Sequence, residues 1–146
     1  MKINLMTDYA VRVICSIYEN EKGIITSNYI SENEKIPHGV LMKVLRELRI
    51  KEIIVSHQGR GEISGGYSLA KSIKEITFLD ILEIMEGAIM LENIGQRNSK
   101  PQEIVGVKNE KITKEYKRIS QVLRKELGKN SLYEILNEKN EEKPTR

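Results

Sequence analysis

The chain has 146 residues, about the length of one domain, with 24 Lys and Arg against 21 Asp and Glu, a formal charge of +3 and an isoelectric point near 8.9. Hydrophobic residues make up 39% and charged residues 31%, a globular balance that excludes collagenous and disordered chains, and no apolar run approaches the roughly 18–20 residues that span a bilayer. A single cysteine, Cys15, excludes an intramolecular disulfide, and two histidines, His38 and His57, leave little for a protein-only zinc site.

The opening Met1-Lys2-Ile3-Asn4-Leu5 carries neither a signal-peptide core nor a small-residue cleavage site, so a cytoplasmic protein is expected. Residues 7–21 predict a first helix, because Ala10, Val13, Ile14 and Ile17 recur at the spacing of one buried stripe. Thr7 is the expected N-cap, Asp8 sits in the first turn where the helix dipole favours an anion, and Gly23 ends the unit. Thr26 or Ser27 caps a short second helix through Glu34, with Tyr29 and Ile30 expected to face inward. Pro37 opens a third helix, from about His38 to Lys51, with Leu41, Val44, Leu45 and Leu48 as its apolar stripe. Two short helices joined by a tight turn form a helix-turn-helix candidate.

The period then changes to that of strands. Ile53 to His57 is rich in β-branched residues, Gln58 to Gly66 is a Gly-rich loop, and Tyr67-Ser68-Leu69-Ala70 returns, so a hairpin follows the helix pair as a wing. A fourth helix opens on a Thr77/Asp80 capping box, buries Phe78, Ile81, Leu82 and Met85, and ends at Gly87. A polar stretch with Gly95, Pro101 and Gly106 precedes a long helix from about Glu110 to Leu127. Its apolar residues Ile112, Tyr116, Ile119, Leu123 and Leu127 make a near-heptad seam suited to another long helix. Gly128 stops that helix, and Leu132, Tyr133, Ile135 and Leu136 allow one further helical turn. The expected fold is mainly α with a small β-hairpin: a winged helix-turn-helix over 1–90, an irregular loop over 91–109, a dimerisation helix with a final helical turn over 110–137, and a charged tail over 138–146.

Charge is concentrated. Between residues 42 and 60, Lys43, Arg46, Arg49, Lys51 and Arg60 face only Glu47 and Glu52, so this stretch carries the whole formal excess. With the apolar stripe inside, the third helix turns His38, Gly39, Met42, Lys43, Arg46 and Arg49 outward. A basic outer face on the second helix of a helix-turn-helix suits a DNA major groove. Ser27 and Asn28, at the start of the second helix, are placed to donate to phosphate oxygens. Gln58, Gly59 and Arg60 form the wing tip, where an arginine between glycines suits a minor groove or a phosphate row. Taken singly, each cation is equally well explained as a solvated surface residue; the motif, the wing and the localised charge together favour DNA. An enzyme is not expected, since neither histidine has a sequence-local nucleophile partner and the glycines lie between strands rather than opening a helix.

Four ordered blocks carry a resemblance: Thr7-Asp8-Tyr9-Ala10-Val11-Arg12, Leu45-Arg46-Glu47-Leu48-Arg49, Gly65-Gly66-Tyr67-Ser68-Leu69-Ala70, and Ile76-Thr77-Phe78-Leu79-Asp80-Ile81-Leu82-Glu83 with Glu86-Gly87. Together they resemble the Rrf-two family of bacterial winged-helix transcription regulators, which includes an iron–sulfur-assembly regulator, a nitric-oxide-sensing repressor and a cysteine-metabolism repressor. The resemblance covers roughly residues 1–90, and the helix after 110 falls where the family has its dimerisation helix. It implies a homodimer on a pseudo-palindromic DNA site, with base readers among His38, Gly39, Met42 and Lys43, backbone contacts from Ser27, Asn28, Arg46 and Arg49, and Arg60 as the wing arginine. The wing departs from the family pattern: Gln58 to Tyr67 is longer by a few residues and lacks a proline.

The sensor region departs further. Cluster-binding members of the family supply three cysteines before the dimerisation helix, whereas Glu92 to Pro101 has none, and thiolates are the ordinary ligands of iron–sulfur clusters. Asp8 matches a place where the nitric-oxide-sensing branch can use an acid as a cluster ligand, but its position in a helix's first turn explains it without metal. No cofactor is expected, and control by a small molecule or a partner protein is, with repression as the simplest mode. The rival readings are an iron–sulfur or redox sensor using Asp8, Cys15 or a histidine with external ligands, and an interaction module that has given up DNA.

Overall fold

The computed structural model describes residues 2–62, 65–91 and 107–138, with side chains of the last segment from Glu110 onward. The expected tail and most of the 91–109 loop, including the cysteine-free stretch, lie outside the described residues.

Helix α1 spans Leu5–Glu19 and buries the expected stripe of Ala10, Val13, Ile14 and Ile17. Its cap is Asn4, not Thr7: the Asn4 side chain accepts from the Met6 N–H at 3.0 Å. Thr7 lies inside the helix and is buried, donating its hydroxyl to Glu86 Oε1 at 3.0 Å. The same carboxylate oxygen accepts the Asn4 N–H at 2.7 Å, so a residue 79 positions away in sequence decides where the helix begins. Helix α2 spans Ser27–Glu34 and is capped by Thr26, which accepts from the Tyr29 N–H. Only Ile30 of this short helix is buried. Tyr29, expected inside, is 48% exposed, because an eight-residue helix pressed on one side offers the core a single position.

Helix α3 spans His38–Ile50 with Pro37 as its cap residue, and buries Leu41, Val44, Leu45 and Leu48. It ends in a paired closure: Ile53 N–H donates to the Leu48 carbonyl and Glu52 N–H to the Arg49 carbonyl. That closure places Glu52 at φ +57, where glycine is usual. Strands β1 (Ile54–His57) and β2 (Gly66–Leu69) then pair antiparallel, with Ile54 opposite Leu69 and His57 opposite Gly66. On its other edge β2 exchanges two hydrogen bonds between Tyr67 and Ile25, at 2.8 and 3.0 Å, which fastens the wing to the loop leading into α2.

A 3-10 turn at Ile73–Glu75 leads into α4, Phe78–Glu86, which has the expected Thr77/Asp80 capping box and ends at Gly87, φ +87. Helix α5, Val107–Leu127, starts before the expected Glu110, and α6, Leu132–Leu136, follows a Ser131/Glu134 capping box. Leu132 N–H reaches the Ile76 carbonyl at 2.7 Å, and Tyr133 meets Tyr18 edge-on with the Lys74 ammonium over its ring, so the chain returns to the body. One cluster running from Ala10 to Leu132 forms the core, to which each fully buried Ile or Leu contributes about 1.5–3 kcal/mol.

Candidate nucleic-acid interface

Burial of Leu41, Val44, Leu45 and Leu48 fixes the rotation of α3 and hence what it offers to solvent. His38, Gly39, Met42, Lys43, Arg46 and Arg49 are all exposed. At 100° per residue they fall within an arc of about 140° on the side away from the core. Among the described residues none of Lys43, Arg46, Arg49 or Arg60 is in an ion pair, and the pairs that do form lie on α1, α5 and the α4–α5 contact or beyond α5. Among the described residues, no ion pair neutralises the positive charge of this face. Open space surrounds the position a Gly39 side chain would take.

The wing is set by two close approaches. A Cβ on Gly65 would lie 2.6 Å from the His57 carbonyl oxygen and 2.7 Å from the Gly59 nitrogen, and one on Gly66 would lie 2.5 Å from the Ile25 carbonyl oxygen. Only glycine permits both contacts, and the turn lies at Gly61–Glu62, just past the bridge residue Arg60, with Gly61 at φ +59. Gln58, Gly59 and Arg60 are exposed there, and His57 Nε2 bonds the Ser68 hydroxyl at 2.7 Å just behind them. At the start of α2, Asn28 is exposed and Ser27 half-buried.

Two residues of this side escaped the sequence reading. Tyr29 and Lys22, with Asn20, Ile24, Thr26 and Gly65, line a cleft of about 540 Å³ between the loop before α2 and the wing. The signal was available, since α2 has only two hydrophobic residues, adjacent to each other, and a helix cannot bury both toward one neighbour.

The expected seam on α5 is split. Ser120 is buried, accepting the Leu91 N–H at 2.7 Å, and Arg124 pairs with Glu83 of α4. Tyr116, Leu123 and Leu127, on that same side of the helix, are half-buried. Ile112 and Ile119 remain 45% and 37% exposed, and Val122, outside the expected set, is 57% exposed. The free apolar stripe is thus Ile112, Ile119 and Val122, spaced seven and three, a heptad pattern beside the side that the chain itself covers.

Asp8 is engaged by Arg12, whose Nε donates to it at 3.1 Å; Arg12 also donates to the Glu34 carbonyl and lies over the Tyr9 ring. Burial, reinforced by Glu19 and Glu34, pushes the half-buried Cys15 thiol up to about 11, so it stays protonated near neutrality. No group of three or more His, Cys, Asp or Glu suited to a metal occurs among the described residues. The sequence holds a single cysteine, fewer thiolates than a cluster ordinarily takes from its protein.

A helix pair whose second member shows a basic face, followed by a glycine-set hairpin, defines a winged helix-turn-helix protein. Residues 3–138 match Rrf2, described as iron-dependent transcriptional regulators, and the chain belongs to that family. It is the Rrf-two family that the four sequence blocks resemble, and its relatives are transcriptional regulators rather than enzymes. An HTH-type transcriptional regulator of Mycobacterium tuberculosis is 29% identical over 90 residues, covering 61% of this chain and 54% of that one. The chain spans about half the length of the curated relatives it matches. In fold it is similar to CymR, the global cysteine regulator of B. subtilis, at a TM-score of 0.67 and 21% identity, covering 92% of this chain and 95% of that one. It is likewise similar to T. potens IscR, at a TM-score of 0.65 and 18% identity, covering 93% and 86%. No described helix is long and apolar enough to cross a membrane.

Proposed function

We propose that this chain is a cytoplasmic, sequence-specific DNA-binding regulator that acts as a homodimer on a pseudo-palindromic site. The observation that carries the reading is the unpaired basic face of α3, continued by Arg60 on the wing. Such a face enters a major groove, and two of them in a dimer sit about 34–36 Å apart, one turn of duplex. His38, Gly39, Met42 and Lys43 are the base readers; Ser27, Asn28, Arg46 and Arg49 hold the backbone; Gln58, Gly59 and Arg60 meet the adjacent groove. The Ile112, Ile119 and Val122 stripe is the dimer contact, since a second copy of α5 can bury it at heptad spacing. Occupancy of a promoter is enough for repression, and control comes from a small molecule or a partner protein instead of a cluster held by this chain.

The test is binding of the purified protein to fragmented host DNA across a salt series. Enrichment of a two-fold-related sequence supports the reading, and uniform weak binding rejects it. Arg49→Ala should reduce the dependence of log affinity on log salt by about one and weaken all sequences alike. Replacing Ile119 and Val122 together with Lys should give monomers by light scattering; an intact dimer would remove α5 from the interface.

A further inference from the structure

The exposed arc of α3 has a one-sided chemistry. Lys43, Arg46 and Arg49 only donate hydrogen bonds, Met42 and, at the end of the helix, Ile50 offer apolar tips 39% and 56% exposed, and Gly39 offers nothing but access. No carboxylate or carboxamide lies on the arc. Glu47, the one acid on the exposed surface of this helix, sits at its far margin, beyond Lys43. His38 is the sole side chain there that can accept, and only through one ring nitrogen of its neutral form.

Bases differ in what they require of such a surface. In the major groove cytosine presents an amino donor and needs an acceptor. Adenine presents a donor beside an acceptor, and is matched by a carboxamide. Guanine presents two acceptors, N7 and O6, and thymine presents an acceptor, O4, beside a methyl group. A face of donors and apolar tips therefore fits the two keto bases best, since of the amino bases cytosine offers it no acceptor and adenine only N7. We propose that α3 reads guanine and thymine directly: Lys43 donates to guanine N7 and O6, and Met42 packs on a thymine methyl. Adenine and cytosine at these positions are then specified only as the partners of those bases. This inference rests on the DNA-binding reading above and deepens it.

The experiment starts from sites that the full chain selects out of random duplexes, followed by base analogues placed at each position. Replacing a contacted guanine with 7-deazaguanine should weaken binding about tenfold. Replacing a contacted thymine with uracil, which removes one methyl, should weaken it about fourfold. Met42→Ala should abolish the thymine–uracil difference alone, and Lys43→Ala the guanine–7-deazaguanine difference alone. Both side chains are exposed, so the variants should fold, and thermal melts matching the parent chain would check it. Sensitivity confined to 7-deazaadenine or N4-methylcytosine would overturn the inference while leaving DNA binding intact. So would a thymine–uracil difference that survives Met42→Ala. Selection that enriches no site would instead reject the DNA-binding reading itself.

Discussion

Gly66→Ala tests the attachment of the wing. The added methyl would sit 2.5 Å from the Ile25 carbonyl oxygen and 2.8 Å from the carbon that bears it, a backbone pair that cannot swing aside as a side-chain tip would. Relief requires β2 to move off Ile25, which breaks the two hydrogen bonds between Ile25 and Tyr67. Their net worth is about 1 kcal/mol each, and residual overpacking costs about 1–3 kcal/mol, for a total loss of about 3–5 kcal/mol. Against a typical domain stability of about 5–15 kcal/mol, this shows plainly as a lower urea midpoint at unchanged slope. Gly39→Ala is the paired control. Its Cβ enters open space in the first turn of a helix, so it should stabilise by about 0.5–1 kcal/mol. A loss below about 0.5 kcal/mol for Gly66→Ala would refute the reasoning, because the wing would then not depend on that contact.

Other expectations follow from single features. Glu52→Gly relieves a left-handed residue at the end of α3, where a side chain costs about 1–2 kcal/mol, less the greater freedom glycine has when unfolded; a net gain of about 0.5–1 kcal/mol by urea unfolding is expected. Thr7→Val keeps the shape of a buried side chain but leaves Glu86 without its hydroxyl donor, and should cost about 1–2 kcal/mol in the same assay. Cys15, with its thiol raised to about 11 from an ordinary 9.0, should react with iodoacetamide about a hundredfold more slowly at pH 8 than an unfolded control, read by mass spectrometry. The raised value favours the neutral thiol in the folded state. Its contribution to stability is therefore complete below pH 9 and declines from there through about pH 11, a decline that Cys15→Ala should remove.

Features written in local sequence were legible before the structure. The α3 stripe repeats with helical period, and Thr77 and Asp80 form a cap within four residues. Since the α3 stripe also fixes which residues face outward, the whole exposed basic face was readable from the same four core positions. What failed depended on partners distant in sequence. Asn4 and Thr7 are both good cap residues, and only Glu86, which bonds both, chooses between them. Tyr29 and Ile30 are adjacent candidates for the core, and the direction from which the core presses selects Ile30. On α5 the chain's own body covers only part of the apolar band. Its division follows from Leu91 and Glu83, which bind Ser120 and Arg124, and no periodicity within the helix reveals that division.

The contacts of Ser120 with Leu91, Arg124 with Glu83 and Gly128 with Leu79 make the C-terminal half of α5 a fixed pivot on α4 and the chain just beyond it. Lys111, Ile112, Lys114 and Glu115 stand exposed toward the start of α5. The stretch from Val107 to Ser120 is about 20 Å long, so a tilt of about 10° at the pivot moves its far end by about 3 Å. Small repacking around Leu79 and Glu83 on α4 is thereby magnified along the apolar stripe, and in the proposed dimer the angle at that joint would set how far apart the two DNA-reading faces stand.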